Sequence, residues 1–307
     1  MTRDEVLELR CATGSDVGRR RSGNEDSALA TSRLLAVADG MGGHAAGEVA
    51  SAIAIDAVGE LDARLADGLS DAEDFAPLDE LATVFATASG VLDERVGADP
   101  ELSGMGTTLT VMLWVGSRFA LGHIGDSRAY RLRGAELTQL SRDHTLVQSL
   151  VDEGKLDEET AAVHPARSVL IKALLAGQVA EPDLEMHEAQ PGDRYLLCSD
   201  GLSDVVSPVE LGEVLGSHDE PSDAVATLIE LANEAGGPDN ITCVVVHVLD
   251  SSSSSSESSA AESSAAESAG DERSDAEVDA DADADADTDT DTDAAAAQQE
   301  AREDESA

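Results

Sequence analysis

The chain has 307 residues, with 64 Asp and Glu against 19 Lys and Arg, a formal charge of −45 at neutral pH. Such a surface offers no basic face to displace the counterions of a phosphate backbone, which excludes an electrostatic nucleic-acid binder. The last 57 residues hold 19 acids and 2 arginines, so residues 1–250 still carry −28 and the acidity belongs to the expected folded body as well.

Basic charge in that body is scarce, with 15 arginines beside Lys155 and Lys172. Like charges repel over a Debye length of roughly 10 Å in 0.1 M salt and only about 3 Å in 1 M. The expectation is therefore a halophile's protein whose unfolding midpoint rises in molar KCl. Two hundred and fifty residues bury roughly 70–75% of their unfolded surface, enough for one large domain without staples. Cys11, Cys198 and Cys243 are odd in number and lack CxxC spacing. They read as reduced core residues and point to the cytoplasm.

The N-terminus MTRDEVLELR lacks the apolar stretch of a signal peptide, and no run of 18 apolar residues follows anywhere, so neither export nor a membrane span is expected. Leu34 to Ala38 reads as a short strand ending at Asp39-Gly40. A helix is expected from about Ala46 to Leu65, with Val49, Ile53, Ala57 and Leu61 at helical spacing, and another from Leu78 to Val96. Thr107–Val115, Arg118–Ile124 and Ser127–Leu132 read as strands joined so tightly that neighbours must be antiparallel, a meander. Arg194–Cys198 and Ile241–Leu249 are further strands. Between them Val225, Leu228 and Ala232 line a helix ending at Gly236-Gly237. Helices with an antiparallel meander predict an α+β layering. Near Asp250 the apolar run gives way to serines and Asp-Ala and Thr-Asp repeats. Residues 251–307 are expected to be a disordered acidic tail, because they cannot offset their ordering entropy by burial.

Four aspartates recur in one context: Asp39 in AVADG, Asp126 in HIGDS, Asp200 in LLCSDG and Asp239 in GGPDN. A single Asp-Gly is most simply a turn. The first three, however, follow expected strands and the last leads into one. If the sheets bring these ends together, the carboxylates need a compensating cation. Oxygen donors without a Cys or His cluster favour Mg²⁺ or Mn²⁺ over zinc. Gly40, lacking a side chain, would let the backbone approach an ion. Gly40, Gly42 and Ala45 also fit a GxGxxA dinucleotide fingerprint. Asp39 beside a pyrophosphate and the placing of Glu60 and Asp62 within or at the end of the same helix argue against that reading.

The segments SDVGRRRSGNEDS, LLAVADGMGGHAAGEVAS, GMGTTLT, HIGDSRAYRL, SRDHTLVQSLVDEG, LLCSDGLSD and GGPDNITCVVV, in that order from about Gly14 to Val248, resemble the metal-dependent serine/threonine protein phosphatases, the PPM or type 2C family, in its bacterial form. The resemblance implies a four-layer α-β-β-α sandwich of two antiparallel sheets flanked by helices, with residues 1–250 as the catalytic domain. It implies that Asp39 bridges two Mn²⁺ or Mg²⁺ ions, that the Gly40 carbonyl holds one, and that Asp200 and Asp239 hold the other. Asp126 with Asp200 would support a third, weaker ion. Asp26, beside Glu25 in NED, would join this metal set by orienting the water on the ions. Arg21, chosen over its neighbours Arg19 and Arg20 by its spacing to NED, matches the phosphate-binding arginine.

His44 lies where bacterial members carry a histidine, and imidazole there could protonate the departing alkoxide or merely cap a helix. His123 and His144 read as structural residues. Residues 146–177 correspond to a flap beside the active site, broken at Gly154 and around Pro165. It ends in ALLAG where the family has Ala-Leu-Gly, which leaves the geometry of the flap's end open. The reaction implied is hydrolysis of phosphoserine and phosphothreonine in phosphoprotein substrates by metal-activated water, without a phosphoenzyme. The rival functions are a phosphoprotein-binding module without hydrolysis and a phosphatase of small phosphoesters. The expected state is a cytoplasmic monomer with neither nucleic-acid nor membrane partners.

Overall fold

The computed structural model describes residues 7–42, 45–72, 74–179 and 181–251. His44 and the expected acidic tail after Ser251 lie outside the described residues. The first half of the chain forms β1 (Leu7–Asp16), β2 (Asp26–Ala30), β3 (Leu34–Met41), α1 (Ala45–Ala66), α2 (Pro77–Ala98), β4 (Gly106–Thr107), β5 (Leu109–Val115), β6 (Arg118–Ile124) and β7 (Arg128–Arg133). The second half forms β8 (Glu136–Gln139), α3 (Leu146–Asp152), α4 (Glu158–Ala162), β9 (Leu174–Leu175), β10 (Asp183–Glu188), β11 (Arg194–Cys198), α5 (Asp200–Ser203), α6 (Pro208–Ser217), α7 (Pro221–Glu234) and β12 (Ile241–Asp250).

The central strands are apolar on both faces, as strands covered on both sides must be. In β3, Leu34, Ala36 and Ala38 pack under α1 and α2, while Leu35 and Val37 point the other way. In β12, Ile241, Cys243 and Val245 pack under α7, while Val244, Val246 and Val248 point the other way. The two inward rows meet in one seam with Phe119, Leu121, Tyr195 and Leu197. Pairing follows the order β1-β12-β11-β7-β8 in one sheet and β10-β6-β5-β3-β4-β9 in the other, with β2 also on β3, all antiparallel. The result is the expected α-β-β-α sandwich of two antiparallel sheets flanked by helices.

Two expected elements differ. The meander is broken: β5 and β6 pair as a hairpin, but β6 and β7 belong to different sheets. Gly125, at φ +113°, turns the chain sharply enough for the short link Gly125–Ser127 to cross from one sheet to the other. The expected strand Thr107–Val115 is also interrupted at Thr108, because β4 pairs with the far end of β3 and with β9 while β5 pairs with β3's beginning.

The helix expected at Ala46–Leu65 is present, but its most buried line is Ala50, Ala54, Ala57, Val58, Leu61 and Leu65. Small alanines let α1 sit close on its sheet, and Val49 and Ile53 flank that contact. Cys198 and Cys243 face each other across β11 and β12 as free, buried thiols, and Cys11 is free and half-buried. Among the described residues no helix is long and apolar enough to cross a membrane.

Candidate functional site

Alternation places the first acids. Asp26 continues the inward row of Ala28 and Ala30 on β2, and Asp39 continues that of Leu35 and Val37 on β3. Because β2 and β3 pair in register, the two aspartates stand directly opposite each other, where cross-strand side chains lie closest. Asp39 is thus inside its strand and not after it, as the sequence suggested. Its ends are tied down: the Asp39 N–H donates to Thr108 Oγ1 at 2.9 Å, and the Asp39 carbonyl accepts from the Thr108 N–H and the Thr107 hydroxyl, both at 2.9 Å.

Asp126 sits in the β6–β7 crossover, Asp200 opens α5 just after β11, and Asp239 lies in the turn before β12. All four aspartates singled out from the sequence line one cleft of about 650 Å³, together with Gly40, Arg21, Arg20, Arg167 and Asp204. Asp26 stands behind them, with Oδ2 accepting from the Ser199 hydroxyl at 2.8 Å.

The electrostatics follow from bringing acids together out of water. Burial, then the neighbouring Asp26, Asp200, Asp126 and Asp239, pushes Asp39 well above the usual carboxylate range. Burial and Asp126, Asp204, Asp239 and Asp26 do the same to Asp200. Asp26 is pushed up to about 6, mainly by burial against the pull of the Ser199 hydrogen bond. Asp126 is pushed up to about 7 by burial and by Asp143 and Asp204. Asp26 Oδ1 and Asp200 Oδ1 are sealed from solvent and have no hydrogen-bond partner among the described residues.

Orphaned carboxylate oxygens and acids forced toward protonation fit a hard divalent cation. As placed, however, no group of three or more His, Cys, Asp or Glu among the described residues stands in a geometry that could hold an ion. The side chains share the cleft without closing into a coordination shell.

Gly40 also serves a packing purpose that the sequence did not suggest. A Cβ there would collide with the Gly47 and Glu25 carbonyls, and the Gly40 N–H donates to the Glu25 carbonyl at 3.1 Å. Its missing side chain lets three backbone segments meet beneath the cleft. Of the arginine cluster, Arg21 reaches Asp239, with Nη2 donating to Oδ2 at 2.6 Å, whereas Arg19 donates its backbone N–H to Gly237. His123 lies inside β6 and is buried, with Nδ1 2.9 Å from Thr110 Oγ1. His144 is likewise buried and stacks on it, ring centroids 5.0 Å apart.

Sequence reasoning passed over two residues that build the site. Asn240 Nδ2 donates to the carbonyls of Val17 at 3.0 Å and Gly23 at 2.9 Å, while its Oδ1 accepts from the Glu25 N–H at 2.8 Å. One buried amide therefore ties the arginine loop and NED to the Asp239 turn, and its signal was an Asn inside PDN. Asp204 lines the cleft and pairs with Arg167 at 3.2 Å. Its spacing of four from Asp200 puts both on one face of a helical turn. Residues 146–177 lie beside the cleft through Arg167, Ser168 and Leu170. Gly154 is in a left-handed turn at φ +68° between α3 and α4, and the ALLAG ending places Leu174 and Leu175 in β9 against Gly106 and Thr107.

Comparison with known proteins sets this geometry in context. The protein phosphatase 2C family profile matches residues 19–244. The serine/threonine protein phosphatase PstP of Mycobacterium tuberculosis is 52% identical over 245 residues, 80% of this chain but 46% of PstP, so the chain spans about half the length of that relative. Protein phosphatase PhpP of Streptococcus pneumoniae is 34% identical over 240 residues, covering 76% of this chain and 94% of PhpP. Among solved structures, the M. tuberculosis PstP/Ppp phosphatase superposes with a TM-score of 0.73 at 50% identity, over 79% of this chain and 99% of that one. The catalytic domain of PstP in complex with two manganese ions superposes with a TM-score of 0.72 at 48% identity, over 80% and 100%.

Proposed function

Because the chain belongs to the protein phosphatase 2C family, we propose that it hydrolyses phosphoserine and phosphothreonine in proteins with the help of divalent cations. The observation that carries the proposal is the gathering of Asp39, Asp126, Asp200 and Asp239 in one cleft, with the first three displaced toward protonation, Asp200 Oδ1 partnerless among the described residues, and Arg21 bonded to Asp239. In this reading Asp39, the Gly40 carbonyl, Asp200 and Asp239 would hold two Mn²⁺ or Mg²⁺ ions, and Asp126 with Asp200 would hold a third. When bound, such ions supply Lewis acidity, lowering the pKa of water toward neutrality and offsetting charge on phosphoryl oxygens.

The chain's own groups do the rest. Arg21 exchanges Asp239 for the phosphoryl oxygens, which a guanidinium grips bidentately. Without that cation a phosphate dianion would be repelled by a body of charge −28. Asp26, fixed by Ser199 and facing Asp39, orients the attacking water. Water and not a side chain attacks phosphorus, so no phosphoenzyme forms. His44 as proton donor to the alkoxide rests on its place after DGMGG alone. Residues 146–177 act as a flap beside the active site that influences substrate choice.

Release of phosphate from a phosphothreonine peptide and from p-nitrophenyl phosphate, with Mn²⁺ and with EDTA, tests the proposal. Chelator-sensitive release from the peptide is expected. Retention of the peptide without release would make the protein a binding module, and preference for free phosphoserine would make it a small-phosphoester phosphatase.

The finer expectations belong to the same proposal: a cytoplasmic monomer favoured by salt. PstP and PhpP come from a mycobacterium and a streptococcus and lend the salt expectation no support, which rests on the charge alone. Light scattering, cell fractionation and a KCl series of unfolding midpoints check the three.

A further inference from the structure

The crossover that carries Asp126 between the sheets has one neighbour that recognises its backbone twice. The His144 N–H donates to the Gly125 carbonyl at 2.7 Å, and the His144 ring Nδ1 accepts from the Gly125 N–H at 3.0 Å. A ring nitrogen that accepts carries no proton, so the proton of the neutral ring belongs on Nε2. Nε2 in turn faces Asp183 Oδ2 at 3.2 Å, and Asp183 Oδ1 takes Lys172 Nζ at 3.3 Å. Burial lowers the His144 pKa, which keeps the ring neutral near pH 7.

On the other side of Asp126, the Ser127 carbonyl accepts from the Thr110 hydroxyl at 3.1 Å, and the Ser127 hydroxyl meets Thr108 Oγ1 at 2.8 Å. Thr108 is the residue that also accepts the Asp39 N–H. Gly125 has no freedom to compensate, since its φ of +113° and the closeness of Thr108 forbid a side chain there. The His144 carbonyl, finally, accepts from the Ile171 N–H at 2.8 Å, so the returning arm of segment 146–177 is fastened to the same residue.

We propose that His144 is a positioning residue for Asp126: its Nε2–H tautomer, set by Asp183, holds the Gly125 peptide and thereby aims the Asp126 carboxyl into the cleft. Groups that orient a ligand from behind typically change metal affinity or activity by about 10- to 100-fold when removed. The proposal rests on the functional reading above for the identity of the ion, but the tautomer and the grip on Gly125 are properties of the protein by itself.

The test compares His144→Phe, which keeps a flat ring against His123 but has no acceptor, with His144→Asn, whose Oδ1 can take the place of Nδ1. In the wild-type protein, a nitrogen-15 spectrum of the imidazoles should show the Nε2–H form at pH 7, and the Gly125 amide should be protected from hydrogen exchange. His144→Phe should lose that protection and weaken the loosest Mn²⁺ binding step at least 10-fold by calorimetry, lowering kcat more than it raises KM for the phosphopeptide. His144→Asn should recover both at a similar Tm. An Nδ1–H or doubly protonated ring, or Mn²⁺ binding and Gly125 protection unchanged in His144→Phe, would overturn the proposal. So would equal losses in both variants that merely track Tm. Failure of the wild-type protein to bind Mn²⁺ or release phosphate would instead overturn the functional reading, and would show in the wild type before any variant is compared.

Discussion

Along β3, Leu35 and Val37 are wholly buried in the seam between the sheets, and Asp39, next in the same row, opens into the cleft. On β2 the half-buried Ala28 and Ala30 pack against the seam, and Asp26 stands at the cleft end of that row. Seam and cleft are therefore two ends of one stacking, governed by the same two-residue alternation. At one end burial stabilises, by about 1.5–3 kcal/mol for each large apolar side chain. At the other it costs free energy, because each unit by which an acid's pKa is raised is worth about 1.4 kcal/mol at a pH where the group should be ionised. The seam holds in place a set of charges that would not assemble alone, and a cation would relieve the strain that the seam imposes.

The sharpest way to break this comparison is to remove the central charge. Asp39→Asn should lower kcat/KM for a phosphopeptide by at least ~10³-fold, more than the 10- to 100-fold expected of outlying partners. The same variant, freed of a buried carboxylate among four others, should be as stable in chelator as the wild type or more so. A large loss of stability in EDTA would show that Asp39 supports the fold.

The seam should behave in the opposite way. Phe119 is fully buried, with ring centroids 4.8 Å from both Trp114 and Tyr195. Phe119→Ala should lower the unfolding free energy by about 3–5 kcal/mol, measured by urea titration, while the fraction still folded takes up Mn²⁺ as before.

A pH series separates the two ends without any substitution. Asp26 and Asp126 have folded-state pKa values raised from 3.8 to about 6 and about 7, so the folded state binds more protons than the unfolded one across that range. By linkage their contribution to stability falls as pH rises from about 4 to about 7, by up to about 7 kcal/mol in all, and levels off above. In EDTA the unfolding midpoint should drop over that window. Saturating Mn²⁺ should flatten or reverse the slope, because the cation prefers the ionised acids. A chelated protein equally stable at pH 5 and pH 8 would show that these carboxyls are not strained.

The seam was legible in the sequence because alternation and continuous apolar runs are local signals. β6 and β11 have the expected bounds, and β3 and β12 start where expected and run on past the expected C-terminal end. The cleft was legible only in part. Strand-end contexts found the acids, but nothing local says that β6 and β7 leave each other's company at Gly125, since a short link fits a hairpin as well as a jump between sheets. The clamps Asn240 and His144 act through backbone atoms distant in sequence, and the pairing of Arg167 with Asp204 joins segments that meet only once the chain has folded. The family resemblance supplied the convergence that periodicity could not.

The smallest predicted effect isolates stability from the cleft altogether. Ser207 caps α6: its hydroxyl accepts from the Glu210 N–H, and Glu210 Oε2 accepts from the Ser207 N–H at 2.9 Å, a reciprocal capping box. It lines no part of the cleft. Ser207→Ala should cost about 1 kcal/mol, read as a lower urea midpoint with an unchanged slope. Mn²⁺ uptake and phosphate release per folded molecule should match the wild type, because α6 packs through Leu211, Val214 and Leu215 on the outer face of its sheet, away from the seam and the acids' cleft. If so mild a loss also weakened the cation, seam and cleft would not be separable ends of the stack, and the cleft's geometry would depend on the tightness of the whole sandwich and not on the local clamps at Gly125 and Asp239.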